Sequence, residues 1–600
     1  MRIRSSGLEA APATVQITFA GQPVQARATD TVASALVASG ELSCRETLAG
    51  DARGVFCGMG VCQECLVAVD GEPGLRACMT PVRDGMTVER QPARPDLAAL
   101  HAARAGAAPA PPDAAAPAAA PASRSVPAPP APARTRACDL LVVGGGPAGL
   151  AAAVAAAEAG LDVVLADERA KPGGQYYKQP GDALIADEAR LDAQYRSGRK
   201  LIARAREAGV ELLAGVQIWG APQVDELLAR GADGSDWTLR PRRLIAATGA
   251  YERGVPVPGW TLPGVMTTGA AQTLLRAYQV APGTRVLVSG NGPLNMQVAA
   301  ELVRGGAQVV ALAELARLTD PRRAPALARM AAAAPDLIVQ GAGYGATLAR
   351  GRVPILHGRA LVRAEGDGRV QRATVAKIDA SGRAVPGSER TYEVDAVCVG
   401  FGFLPSNELA RSLGATHRYD RREGGFVVER SSTGRTSVDG LWVVGDGGGI
   451  GGARVAQAAG TLAGLDVVRS LGRPVSPALV AAERAAEKAH ARARRFQDAL
   501  WTAYAAPCLV DQLAAPDTPV CRCENVPLSA VEEAFDAGMG HIGAVKRVTR
   551  AGMGGCQGRY CGGLLAEIAA RRAGRPPEEL DLFAPSAPFK PQRIQDLTAD

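Results

Sequence analysis

The sequence predicts a multidomain α/β protein, and three observations carry that prediction. Strand and helix patterns alternate from about residue 137 to 475; two Gly-rich turns of dinucleotide-binding (Rossmann-like) type fall inside that span; and a nearly pure Ala/Pro segment separates it from a smaller amino-terminal unit. Six hundred residues exceed a single ordinary core. With 47% hydrophobic and 21% charged residues the composition is that of a globular protein. The net charge of +7 is spread through 67 basic and 60 acidic side chains without a basic block. Arg484–Arg495 alternates with Ala and Glu as a solvated helix face does, so nucleic acid is not an expected partner. The opening MRIRSSGLEAAPATVQ has no apolar core, which argues against a secretory signal. Leu140–Ala166 is apolar but is broken by Gly144-Gly145-Gly146-Pro147 and carries Glu158 and Asp162, so it reads as strand–turn–helix–strand and not as a membrane span. These features predict a cytoplasmic protein, or one held at the inner membrane through a partner. They make its twelve cysteines metal ligands or buried thiols in preference to disulfides.

Residues 12–95 read as a small mixed domain. Val15–Phe19 alternates as a strand does, Gly21-Gln22-Pro23 turns, Asp30 or Thr31 caps a helix ending at Gly40, and the strand Leu66–Val69 follows a Cys-rich loop. Residues 101–136 are a semi-rigid tether, able to span up to ~100 Å at ~3.1 Å per residue and to let the preceding domain move. Beyond it come a first dinucleotide-binding part (137–255), an inner domain (256–392), a second part of the first domain (393–475) and a helical domain (510–585). In the last, Ser529-Ala530-Val531-Glu532 reads as a capping box and Gly538 as a helix stop.

Cys57, Cys62 and Cys65 have the C-x4-C-x2-C spacing of plant-type [2Fe–2S] sites, and twelve residues intervene before Cys78. Gly58 and Gly60 let the backbone fold tightly enough for its amides to reach sulfur. The alternative is zinc, whose ligands usually come as two short-spaced Cys pairs. Cys44 lies outside the pattern. Near the other end, Cys521-x-Cys523 is followed after 32 residues by Cys556-x4-Cys561 among Gly-rich turns, with a zinc knot as the alternative; Cys508 stands apart.

Asp139–Gly149 is a strand running into Gly144-x-Gly146-x-x-Gly149 and an Ala-rich helix that opens with Pro147 and Ala148. Gly146 lets the backbone approach a pyrophosphate, which the helix amino terminus attracts. A second strand ends in Asp167-Glu168, where an acid binds ribose hydroxyls. Gly173-Gly174-Gln175 forms the loop expected near a flavin. Thr248-Gly249 closes the first half as in two-dinucleotide-domain flavoproteins, and Thr436–Asp446 resembles their second FAD signature, with Gly445 and Asp446 at its end and a helix following near Ala453. The inner domain repeats the turn at Gly290-x-Gly292-x-x-Asn295. Asn295 replaces the third glycine and is expected to push the helix off the strand; Glu314 stands where the ribose acid belongs. No redox cysteine pair lies between Cys138 and Cys398, which read as buried strand residues, so a disulfide reductase is not expected.

RGVFCGMGVCQECLVAVDG and RACMTPVRDGMTVER resemble the ferredoxin-type part of a bacterial family comprising hydrogen cyanide synthase, opine oxidases, hydroxyproline dehydrogenases and heterotetrameric sarcosine oxidases. The resemblance implies a β-grasp ferredoxin domain with Cys57, Cys62, Cys65 and Cys78 as ligands. The carboxyl end resembles bacterioferritin-associated ferredoxin, which implies a small helical [2Fe–2S] domain held by Cys521, Cys523, Cys556 and Cys561. It further implies the electron-transfer subunit of an amino- or imino-acid dehydrogenase, acting on glycine, a proline-like compound or an opine. Its partner would be a D-amino-acid-oxidase-like FAD subunit in a hetero-oligomer, with a respiratory or ferredoxin-type acceptor. Family relatives hold NAD or ATP in place of FAD in the outer site. A stand-alone NAD(P)H-dependent ferredoxin-type reductase and a zinc-stabilised scaffold are the rival readings.

Overall fold

The computed structural model describes residues 1–3, 7, 8, 12–93 and 133–592. The predicted tether lies outside them except at its end, where Arg134–Val143 is already a strand. The amino-terminal unit is a five-stranded sheet in the order Gln22–Arg27, Thr14–Phe19, Thr87–Arg90, Leu66–Val69, Glu72–Arg76, with Thr14–Phe19 and Thr87–Arg90 paired in parallel. The alternation of Thr14–Phe19 turns Ile17 and Phe19 inward. Thr31 caps the helix Val32–Ser39 in a reciprocal box with Ser34, and Gly40 ends it in the left-handed region. This unit does not stand free. Leu36, Val37, Cys44 and Val55 share one continuous core with Met266, Ala270, Leu274 and Val280 of the inner domain.

The central sheet runs Glu211–Ala214, Val163–Asp167, Arg134–Val143, Asp236–Ala246, all parallel, with Leu441–Val443 added beside the last and an antiparallel meander (Val216–Gln223, Glu226–Gly231) folded against its first half. Helix Pro147–Ala157 packs on this sheet and against Ala453–Ser470. The two helices approach closely because a Cβ on Gly460 would lie 2.1 Å from the Ala148 carbonyl oxygen. The inner domain has a five-stranded parallel sheet, ordered Val265–Thr267, Ala396–Gly400, Arg285–Gly290, Gln308–Glu314, Ile355–His357. Cys138 and Cys398 are buried on strands as expected.

The capping box expected at Ser529 does not form. The helix spans Leu528–Asp536 and its cap is Pro527, reached directly from the hairpin; the amides of Leu528 and Ser529 donate instead to the carbonyls of Thr518 and Pro516. A tertiary acceptor has taken the role the local side chain was expected to fill. Gly538 follows the helix at φ 88°, as a stop should.

Candidate cofactor sites

Cys57, Cys62, Cys65 and Cys78 are all buried free thiols. The Cys57 sulfur accepts from the amides of Met59 (3.5 Å) and Cys62 (3.4 Å). Against the effect of burial, hydrogen bonds from Cys62 and those amides pull Cys57 down to about 6. Burial and the bond to Cys57 push Cys62 up, and the bond to Cys78 together with burial pushes Cys65 up. The thiols therefore pair, Cys57 with Cys62 and Cys65 with Cys78.

In the second quartet the sulfurs of Cys521 and Cys523 lie 3.9 Å apart and those of Cys523 and Cys556 3.6 Å apart. Those spacings are close to the ~3.8 Å edge of a tetrahedron with metal–sulfur bonds of ~2.3 Å. The Gly552 amide donates to Cys521 at 3.4 Å. Hydrogen bonds from Cys523 and Cys561 pull Cys521 down to about 3, and the bond to Cys521 pushes both partners up. Among the described residues no three His, Cys, Asp or Glu side chains close on a single ion. The pairing in the first quartet suits a binuclear cluster; in the second, Cys523 lies within 4 Å of both Cys521 and Cys556. Cys44 is buried and pushed up to about 12 by burial, with Cys78 adding to it.

No local pattern indicates that the two quartets meet. One small cavity is lined by Cys62 and Glu64 of the first loop and by Cys521, Arg522, Cys523, Cys556, Tyr560 and Cys561 of the second. Arg53 donates to the Asn525 side chain at 2.8 Å, and Asn525 donates to Asp51 at 2.8 Å, which ties the two domains together. Between the quartets Glu64 lies within 4 Å of Arg45, Arg53 and Arg522. All four side chains are buried, and the Nε atoms of all three arginines lack an acceptor. Three buried guanidiniums face one buried carboxylate, with the half-exposed Asp51 3.7 Å from Arg53 adding a second, and so favour further negative charge nearby. Two thiolate-held clusters supply it, so the residues fit the group.

The dinucleotide turn opens on a cavity of about 1750 Å³ that extends to the inner turn at Asn291, Gly292 and Pro293. Gly149 is obligatory, since a Cβ there would sit 1.9 Å from the Gly144 carbonyl oxygen. Gly144, Gly146, Pro147, Ala148, Gly174, Gln175, Thr248, Gly249, Gly445 and Asp446 all line the cavity. Asp446 accepts from the amides of Gly451 (2.8 Å) and Gly452 (2.9 Å), which sets the amino terminus of Ala453–Ser470 against the cavity. Asp167 and Glu168 divide their work. Asp167 accepts from the amides of Gly145 (2.6 Å) and Arg169 (2.8 Å) and so holds the turn; burial raises it to about 6. Glu168 also lines the cavity and pairs with the returning carboxyl tail. Burial opposes its charge, but Lys590, 3.1 Å away, with Arg76 and Arg169, holds it down at about 2. Sequence reasoning missed Lys590, because nothing local shows that the carboxyl tail returns to this site.

Two further cavity residues were missed. Lys178 donates to Gln272 at 2.8 Å and is lowered by burial to about 7; Glu252 accepts from the Gly269 amide at 2.7 Å and is raised by burial to about 7. One Glu252 oxygen and the Gln175 amide oxygen are buried without partners. With the glycine cradle these orphans fit a flavin, whose ring edge offers matching donors. Met59 and Val61 of the first cysteine loop also line the cavity.

The inner turn is used by the chain itself. Asn295 does not drive its helix off the sheet: it lies over Gly290 and Gly400, donates to the Gly400 carbonyl (2.9 Å) and accepts from Thr268 (2.8 Å). Glu314 accepts from the amides of Gly292 and Ala316, and burial raises it to about 8. Asn291 donates to the Tyr504 carbonyl, and Arg323 to those of Thr502 and Ala505. Those carbonyls end the long helix Pro477–Ala503, whose Phe496, Ala499, Leu500 and Ala503 pack with Met330 and Ile338. Arg484–Arg495 is exposed or half-buried apart from Ala486, as a solvated face should be, and the packed residues follow it on the same helix.

Comparison with known proteins agrees with this layout. Residues 12–93 match the 2Fe-2S iron-sulfur cluster binding domain, residues 138–460 the pyridine nucleotide-disulphide oxidoreductases and residues 519–571 the BFD-like [2Fe-2S] binding domain. Fold and site thus define the class: an FAD-dependent oxidoreductase with two [2Fe–2S] domains. An opine oxidase subunit of Rhizobium meliloti (strain 1021) is 34% identical over 440 residues, 72% of this chain and 92% of that one. Hydrogen cyanide synthase subunit HcnB of Pseudomonas aeruginosa is 32% identical over 461 residues, 75% and 96% of the two chains. The alpha subunit of sarcosine oxidase from Rhizobium meliloti (strain 1021) is 26% identical over 630 residues, 96% of this chain and 57% of that one. The chain belongs to the flavin- and iron–sulfur-dependent oxidoreductase family that contains this opine oxidase subunit and HcnB. L-proline dehydrogenase from P. horikoshii shares the fold across 100% of both chains, with a TM-score of 0.68 and 21% identity. No helix among the described residues is long and apolar enough to cross a membrane.

Proposed function

We propose that this chain is the electron-transfer subunit of an amino- or imino-acid dehydrogenase complex, its substrate a glycine-, proline- or opine-type amine oxidised on a partner FAD subunit. Its relatives are named as subunits of opine oxidase, hydrogen cyanide synthase and sarcosine oxidase, which supports a partner. Cys57, Cys62, Cys65 and Cys78 hold one cluster and Cys521, Cys523, Cys556 and Cys561 the other. The glycine turn, Glu168, Gln175, Thr248 and Asp446 hold FAD, within the domain division 12–95, 137–255 with 393–475, 256–392 and 510–585. When bound, FAD exchanges electrons in pairs and each cluster exchanges them singly. Met59 and Val61 of the first cysteine loop and Arg559 of the second line the large cavity, and Cys62 lines a smaller cavity with the second quartet, which supports short paths among the three cofactors. The acceptor is a respiratory or ferredoxin-type carrier and the setting cytoplasmic, the eight proposed cluster ligands accounting for most of the twelve cysteines.

The observation that favours this reading over a stand-alone NAD(P)H reductase is the inner turn, where Glu314 takes the Gly292 amide and the Tyr504 carbonyl takes the Asn291 side chain, while the turn itself still borders the large cavity. Stopped-flow mixing with NADH or NADPH should leave the flavin oxidised, whereas protein co-purified with its partner should reduce a dye with one of glycine, prolines or opines. Rapid bleaching by a nicotinamide would replace this proposal with the reductase. Zinc in place of iron and labile sulfide would replace it with the scaffold.

A further inference from the structure

Buried charges lie between the two quartets. Arg522 sits inside the second quartet's C-x-C and Glu64 inside the first quartet's C-x2-C, yet Arg522 Nη2 lies 3.9 Å from Glu64 Oε2. The guanidinium is stacked 3.7 Å from the Phe56 ring centroid and 4.6 Å from that of Trp260, and it donates to the Trp260 carbonyl. Phe56 in turn meets Trp260 and Tyr560 edge-on at 5.8 and 5.3 Å. Arg522 is therefore held in one place, with 5% of its surface exposed, while Glu64 has none.

We propose that Arg522 and Glu64 form an electrostatic coupler that sets the reduction potentials of both clusters together. This deepens the proposed electron-transfer role and rests on its assignment of the cysteine ligands. An electron arriving at either quartet adds one unit of negative charge, and no bond is made or broken. A fixed cation in a water-poor site favours the added charge and a fixed anion opposes it, with little screening by salt. Because the guanidinium belongs to one cysteine loop and lies 3.9 Å from the carboxylate of the other, neither potential is set by its own domain alone. Arg45 and Arg53 add positive charge from the first domain's side, so the local balance favours the reduced form of both.

Potentiometric titration with dithionite and mediators, followed by electron paramagnetic resonance at both signals, tests this. At a fixed ambient potential Arg522→Gln should lower the reduced-to-oxidised ratio of both clusters by at least about tenfold, ~59 mV for a one-electron couple. Glu64→Gln should raise both, and the double variant should lie between. Fully reduced wild-type protein should show signals broadened or split relative to the half-reduced state, since the quartets share a cavity. If Arg522→Gln loses iron, Glu64→Gln and Arg522→Lys decide, the lysine keeping both ratios within about threefold of wild type. Two normal signals that Glu64→Gln leaves unmoved, or moves at only one cluster, overturn the coupler while leaving the electron-transfer reading intact. Wild-type protein with neither signal overturns the ligand assignment and the coupler with it.

Discussion

The chain contains the same strand–turn–helix unit twice, at Gly144–Gly149 and at Gly290–Asn295, and the two copies have come to opposite ends. In the first, the third glycine admits the helix against the strand, Asp167 holds the turn from behind, and Glu168 is left facing the cavity. In the second, Glu314 alone stands at the acid position and is consumed by the Gly292 and Ala316 amides. Asn295 ties the helix to the neighbouring strand, and the Tyr504 carbonyl at the end of Pro477–Ala503 accepts from the Asn291 side chain. A nucleotide-binding turn is a site only while its donors are unclaimed. Two acids in sequence allow one to serve the fold and the other the ligand; a single acid cannot do both.

The most damaging way to break this contrast is Gly149→Val, which drives a side chain into the Gly144 carbonyl. Bound flavin should fall below about a tenth of wild type, read from the ratio of visible to ultraviolet absorbance. Asn295→Ala should cost about 2–3 kcal/mol of stability in thermal or urea unfolding by stranding Thr268 and opening a small void, yet leave flavin content unchanged. If it released flavin instead, the inner turn would be part of the site. Glu314 sharpens the contrast through pH. Its folded value is about 8, raised above 4.5 by burial. The folded state therefore keeps a proton that the unfolded state has lost, and stability declines as pH rises from about 4.5 to 8. Glu314→Gln should remove roughly 2 kcal/mol of the loss between pH 6 and 9, seen as a flatter melting-temperature profile. Glu168→Gln should have the smallest effect, about tenfold weaker FAD binding in a fluorescence titration. If Asp167→Asn did this and Glu168→Gln did not, the division of labour between the two acids would be reversed.

Both cysteine quartets, the glycine turn and the second FAD signature were legible because each is a short-range pattern whose spacing is dictated by what it must surround. The helix capped by Thr31 and stopped at Gly40 was legible for the same reason. Ser529 was misread because its competitor for the backbone amides, the Pro516–Thr518 segment, approaches through the fold of the helical domain. Lys590 and the cover over the inner turn were invisible, since they come from segments remote in sequence from the groups they touch. The tether suggested a mobile ferredoxin-like unit, whereas the structure docks that unit on the inner domain through a shared apolar core.

By itself, the sequence determines which groups this protein presents: two sets of thiols, a glycine-rich turn and a pair of acids after the second strand, all written in neighbouring residues. Only the tertiary structure decides which of those groups remain available and which meet. Arg53 reaches Asn525 across 472 residues of chain. Contacts of that kind follow from packing whole domains, where burial selects the arrangement and no local periodicity records it.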